Sequence, residues 1–193
     1  LVGLVSASPG VAAPGYIWIE AENPTKNDIP ETWTGSNRPH LISGEKVLGA
    51  RLQQKQIEDM PKEGFRLSYG MTVPADGRYD AWFRVGMEGI RAPFEWRVGD
   101  GPWREGPADK YTTNVMELAK YNEIAWLELG RVDLERGQTV LAVRYTKPQP
   151  QRNDLFIVLD CMAFVPSEMA WSPEGKLKPG EQYDGEIDRA AAE

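Results

Sequence analysis

Glu20 and Glu22 lie two residues apart in the apolar, β-branched run Y-I-W-I-E-A-E-N, residues 16–23. In an extended strand, residues i and i+2 share a face. Two negative charges therefore stand side by side where apolar packing is expected. Asp160 poses the same problem near the other end of the chain, inside L-F-I-V-L-D-C-M-A-F-V, residues 155–165. A buried carboxylate has to be paired, metal-bound or protonated. If the first and last strands pair, one cation could satisfy all three side chains. Oxygen ligands of this kind suit calcium, with loop carbonyls completing a shell of about six to eight. The competing reading is that arginine or backbone donors at a sheet edge neutralise them.

The elements that must position these groups read as short strands. The 193 residues include 15 prolines and 19 glycines, and hydrophobic residues make up 41% of the chain, enough for one domain with a sizeable core. Y-I-W-I-E, V-L-G-A-R-L-Q, F-R-L-S-Y-G-M-T-V, R-Y-D-A-W-F-R-V, F-E-W-R-V, A-W-L-E-L-G-R-V, T-V-L-A-V-R-Y-T and the 155–165 run are separated by turn residues such as P-A-D-G and L-E-R-G-Q. That spacing predicts an all-β, antiparallel β-sandwich or barrel. N-V-M-E-L-A-K-Y, residues 114–121, predicts at most one helical turn. In the 78–85 strand, Tyr79, Ala81, Phe83 and Val85 share a core face, and Arg78, Asp80, Trp82 and Arg84 share the other.

Residues 1–15 read as a signal remnant or linker, 16–166 as the sandwich, and 167–193 as a linker or tail towards a following domain. Net charge is −7, and no Lys/Arg-rich run is present, so neither nucleic acid nor an anionic membrane is the expected partner. No segment reaches the roughly 18 apolar residues of a membrane span. The single cysteine, Cys161, reads as a buried core residue. The single histidine, His40, has no nucleophile at a recognisable spacing.

Four segments in order resemble carbohydrate-binding modules of the galactose-binding-like, jelly-roll type, particularly families 6 and 35. W-I-E-A-E-N at 18–23 is similar to their opening I-E-A-E-N/D strand. V-P-A-D-G-R-Y-D-A-W-F-R-V at 73–85 is similar to a V-P-A-x-G-x-Y hairpin. W-L-E-L-G-R-V-D-L-E-R-G-Q-T-V-L-A-V at 126–143 and L-D-C-M-A-F-V-P at 159–166 follow the family's later strands. The resemblance implies a structural calcium held by Glu20, Glu22 and Asp160, and a sugar site at the loops of one sandwich end. The pattern departs there, with Val158 and Leu159 where an Asn precedes the last strand's Asp. A G-x-W-x-x-W loop is likewise replaced by K-Y-N-E-I-A before Trp126.

Aromatic platforms with a few polar groups recognise sugar rings. Candidates in predicted loops are Trp33, Trp103 and Tyr121, with Asn122, Asn153 and Asp154 as polar partners. Trp18, Trp96 and Trp126 sit in strand runs and are expected to pack. Trp82 with Arg84 would form a second surface if their sheet face is uncovered. The expected function is a non-catalytic module, secreted (extracellular or periplasmic), that holds an appended polysaccharide-degrading catalytic domain on its polysaccharide or oligosaccharide. The alternatives are a calcium-stabilised interaction sandwich without sugar binding, or a small β-sandwich glycoside hydrolase or lyase, whose paired carboxylates can come from distant segments.

Overall fold

The most apolar segment of the chain forms the strand around which the others assemble. The computed structural model describes residues 15–87, 91–106, 113–120, 122–148 and 153–183. Strand β12 (Leu155–Pro166) lies inside a seven-stranded antiparallel sheet, here sheet A. One edge of β12 pairs with β6 (Gly77–Met87). Its other edge is shared, with β4 (Leu48–Leu52) taking residues 155–159 and β1 (Ile17–Glu20) taking residues 161–164. The first and last strands therefore pair, and Glu20 stands opposite Cys161. Beyond β6 come β10 (Asn122–Leu134) and β9 (Thr113–Ala119), and β3 (Trp33–Thr34) flanks β4. Sheet B has five strands in the order β2 (Lys26–Asn27), β5 (Phe65–Val73), β11 (Gly137–Tyr145), β7 (Phe94–Val98) and β8 (Arg104–Gly106).

The two sheets close an antiparallel β-sandwich. Along β5, Phe65, Leu67, Tyr69, Met71 and Val73 are buried, while the intervening residues face out. On β6, Tyr79, Ala81, Phe83 and Val85 turn inward as their alternation predicts. Phe83 stacks on Phe94 at 5.6 Å between centroids, and Trp96 lies 6.0 Å from Phe164. These aromatics join the sheets, each burying on the order of 150–250 Å². Trp96 is a core residue, as expected. Trp126 is also fully buried, but on the opposite, outer face of sheet A.

One expectation changes. Residues 113–119 form strand β9, not a helical turn, because β10 offers them a ladder along its free edge. Residues 167–183, read as a linker or an ordered tail, fold back over sheet A. Trp171 meets Trp126, Trp82 and Trp18 edge-on at 5.5, 6.1 and 6.4 Å. Trp126 Nε1 donates to the Gly175 carbonyl at 2.7 Å, and Asn114 clamps the same segment through the Pro173 carbonyl and the Gly175 N–H. Residues 1–14 and 184–193, the rest of the two predicted terminal segments, lie outside the described residues.

Candidate ligand and cation sites

At one end of sheet A's outer face, a β-bulge between Leu159 and Cys161 inserts Asp160 as an extra residue beside β6. Its fully buried carboxylate receives Arg84 Nη1 at 2.8 Å and the Ser43 N–H at 3.1 Å. Arg84 is equally buried. It also donates to the Leu41 carbonyl at 2.9 Å and touches Met116 Sδ through Nη2. Asp160, expected as a metal ligand, is thus paired with a guanidinium instead. Burial pushes its carboxyl up to about 7 against the pull of Arg84 and the Ser43 N–H. The adjacent Cys161 thiol, also buried, is raised well above its ordinary value. Arg84, expected on a partly wet face, is sealed in by the loop that carries Leu41 and Ser43.

Glu20 and Glu22 behave differently. Glu20 Oε1 accepts from Trp18 Nε1 at 3.1 Å and from the Ser43 hydroxyl at 2.9 Å. Glu20 Oε2 and Glu22 Oε2 are buried with no hydrogen-bond partner among the described residues. Both carboxylates press on Gly44, whose φ of +56° suits glycine; a Cβ there would lie 3.2 Å from Glu22 Oε1 and 3.6 Å from Glu20 Oε2. Burial, and then the neighbouring Glu20 charge, raise the Glu22 carboxyl, while a backbone hydrogen bond and Lys46 oppose the rise. Two carboxylates that converge on the Gly44 turn, each with an orphaned oxygen, suit a hard cation. Among the described residues no group of three His, Cys, Asp or Glu side chains is arranged to hold a metal. Carboxylate ligation would therefore come from Glu20 and Glu22 without Asp160.

Beside this cluster, the outer face of sheet A opens into a cavity of about 360 Å³. Trp33 forms one wall and is 41% exposed. Its ring lies flat against Gly49, the residue it pairs with across β3 and β4, so tightly that any Cβ at 49 would strike the indole. Phe156 braces it at 6.0 Å. Val47, Leu118 and Val158 add apolar lining, and Ser36, Asn37 and Asn122 add polar groups. Among the described residues, the side-chain amides of Asn37 and Asn122 have no hydrogen-bond partner.

Of the predicted ligand residues, the structure brings Trp33 and Asn122 together. Tyr121 lies outside the described residues. Asp154 is buried and binds Arg51 Nε at 3.2 Å, holding that guanidinium over Phe156. Asn153 is exposed and does not line the cavity. Trp103 belongs to sheet B, surrounded by Arg66, Arg97 and Arg144. Sequence reading missed Phe156 and Asn37. Phe156 and Val158 alternate with inward Leu155, Ile157 and Leu159, a period-two signal hidden because both faces of β12 are apolar.

No protein-family profile and no curated protein matches the chain. Among solved structures, a Paenibacillus xanthan lyase aligns with a TM-score of 0.58 at 18% identity, over 86% of this chain and 14% of that one. The insecticidal crystal protein Cry2Aa aligns at 0.53 and 12% identity, over 82% of this chain and 22% of that one. The C-terminal CBM6 of the marine laminarinase LamC from Zobellia galactanivorans aligns at 0.48 and 13% identity, over 78% of this chain and 98% of that module. The chain thus spans a small part of the xanthan lyase and of the crystal protein. At these identities the likeness shows the fold alone, an antiparallel β-sandwich as the strand spacing predicts. A fold shared by a lyase and an insecticidal protein does not fix a ligand.

Proposed function

We propose that this chain is a non-catalytic carbohydrate-binding module that binds a neutral sugar in the Trp33 cavity. The observation that carries this is the cavity itself: an exposed indole fixed against Gly49, with the Asn37 and Asn122 amides uncommitted beside it. The indole offers a flat apolar face to sugar C–H groups, and the amides can meet hydroxyls. None of the described lining residues is charged, which favours a neutral ring. In the context of a longer secreted enzyme, such a module raises the effective concentration of an appended catalytic domain on its polysaccharide.

Titration calorimetry against neutral oligosaccharides tests this reading. Trp33→Ala should weaken binding at least about tenfold, the loss of a stacking contact of about 1.4 kcal/mol, and leave the melting temperature nearly unchanged. No binding to any neutral glycan, or equal binding by Trp33→Ala, would overturn it.

Glu20 and Glu22 are proposed to hold a structural calcium, supported by their two orphaned oxygens. When bound, the ion supplies positive charge at the β1–β12 junction, beside the Gly44 turn. Saturating calcium at about 100 times its dissociation constant should stabilise the fold by about 2.7 kcal/mol. Thermal melts with calcium and with chelator measure this, and Glu22→Gln should shrink the difference. Identical melts in both conditions would refute the assignment.

A further inference from the structure

The Trp33 indole is held in place by side chains that do not all line its cavity. Two outward-facing rows of sheet A run side by side here. In the first, Trp33 on β3 pairs with Gly49 on β4, and Gly49 pairs with Val158 on β12. In the second, two residues further along β4, Arg51 pairs with Phe156 on β12. The indole packs on Gly49, and Phe156 meets it at 6.0 Å with the rings inclined by 63°. The Phe156 ring in turn carries the Arg51 guanidinium, whose Cζ lies 5.6 Å from the ring centroid. Arg51 Nε donates to Asp154 Oδ2 at 3.2 Å.

Such a ring needs fixing. Strand β3 is two residues long, and Trp33 is the most exposed of the tryptophans. An exposed indole on so short a strand has several staggered rotamers open to it. Gly49 closes one side and Phe156 another, but Phe156 is itself only half-buried and requires a fixed neighbour. Arg51 supplies a flat group to lie over that ring. Its side chain is 52% exposed, against 12% for Asp154, so the carboxylate is the anchor and the guanidinium is the part it places. Both Nη groups of Arg51 are uncommitted among the described residues. An ion pair this open adds little to stability; its effect lies in where it puts the guanidinium. A platform fixed before the ligand arrives loses less freedom on binding.

We propose that Arg51 is a positioning residue for the Trp33 platform, resting on the reading of the Trp33 cavity as the ligand site. Held by Asp154, it fixes the Phe156 ring, and Phe156 fixes the indole in the plane that receives the ligand. Arg51 and Asp154 act through Phe156, since neither lines the cavity. Affinity at the indole therefore depends on an ion pair one row away from it on the same sheet face.

Fluorine NMR of the full chain labelled with fluorotryptophan reads the indole without any ligand, with Trp33→Phe assigning its resonance. Arg51→Met is expected to shift or broaden the Trp33 resonance and leave the other tryptophans in place. Arg51→Gln should do the same, which excludes an effect of the new methionine. In titration calorimetry with neutral oligosaccharides, Arg51→Met should bind about two- to fivefold more weakly, the effect of one guanidinium–ring contact near solvent. Its melting temperature should match the parent's. Adding Asp154→Asn should weaken binding no further, because both changes act through one link. A Trp33 resonance that stays in place in Arg51→Met overturns the proposal; weaker binding with that resonance unmoved would make Arg51 a direct ligand contact instead. A shift of every tryptophan resonance together with a lower melting temperature overturns it too, since Arg51 would then support the fold at large. If the parent binds no neutral glycan, the cavity reading fails, and the fluorine signal still decides whether Arg51 places the indole.

Discussion

The outer faces of the two sheets are built from the same materials and end in opposite states. Sheet A presents Trp82 and Arg84 on β6, with Trp126 on the adjacent β10 and Trp18 on β1 beyond β12. Sheet B presents Arg97, Arg144 and Arg66 with Trp103. On sheet A, Arg84 is fully buried against Asp160 and Trp82 lies under Trp171. On sheet B, Trp103 stays partly open, and two of its three arginines, Arg66 and Arg97, form no ion pair among the described residues. What separates the faces is cover. The 39–46 loop roofs Arg84, the 171–175 segment roofs the tryptophans, and among the described residues no segment crosses Trp103. Trp and Arg on a strand become structure or surface according to which distant segment arrives on top of them.

The sharpest way to break this contrast is to unbalance the covered pair. Arg84→Met leaves Asp160 buried without its cation and should cost about 3–5 kcal/mol in denaturant unfolding. Adding Asp160→Leu should recover most of that, because two apolar groups need no partner. Changing Arg97 to Met on the open face should cost far less. A midpoint for Arg84→Met equal to the parent's would mean the guanidinium is solvated, and the comparison would lose its basis.

Next in size is the cover itself. Trp171→Ala removes a ring that touches three others, and should destabilise by about 2–4 kcal/mol, somewhat below the roughly 3–5 kcal/mol of a fully buried tryptophan because the ring is only half-buried. It should also make the remaining tryptophan emission more accessible to a collisional quencher. Unchanged stability and quenching would mean that the 171–175 segment rests on the sheet without sealing it.

Much of this architecture was legible in the chain. Alternation fixed the inward face of β6, and the apolar 155–165 run marked a strand. The carboxylates at 20 and 160 implied that first and last strands meet, as they do. What stayed hidden depended on long-range choices. A bulge at Asp160 cannot be read from a uniformly apolar strand, so the carboxylate's partner, 76 residues earlier, was not evident. Trp171, in a Pro/Gly-rich stretch, read as linker because packing by a single tryptophan leaves no periodicity. Trp33 and Asn122 could be nominated as loop residues, but their convergence at Phe156 depends on the β3–β4–β12 register. Trp103 was grouped with them because a sequence does not state which sheet a turn belongs to.

The smallest expected effect tests the open side. Trp103 contributes mainly through guanidinium contacts, each worth about 0.5–1 kcal/mol near solvent, and they are not additive because the three arginines share one ring. Trp103→Ala should therefore cost about 1–2 kcal/mol, roughly half the loss at Trp171. Arg144 remains held by Glu95 and Glu63 in that variant, which limits the damage to Ala142, Arg66 and Arg97. If Trp103→Ala instead destabilised as much as Trp171→Ala, the indole would be a structural cover like its counterpart on sheet A, and the difference between the two faces would vanish.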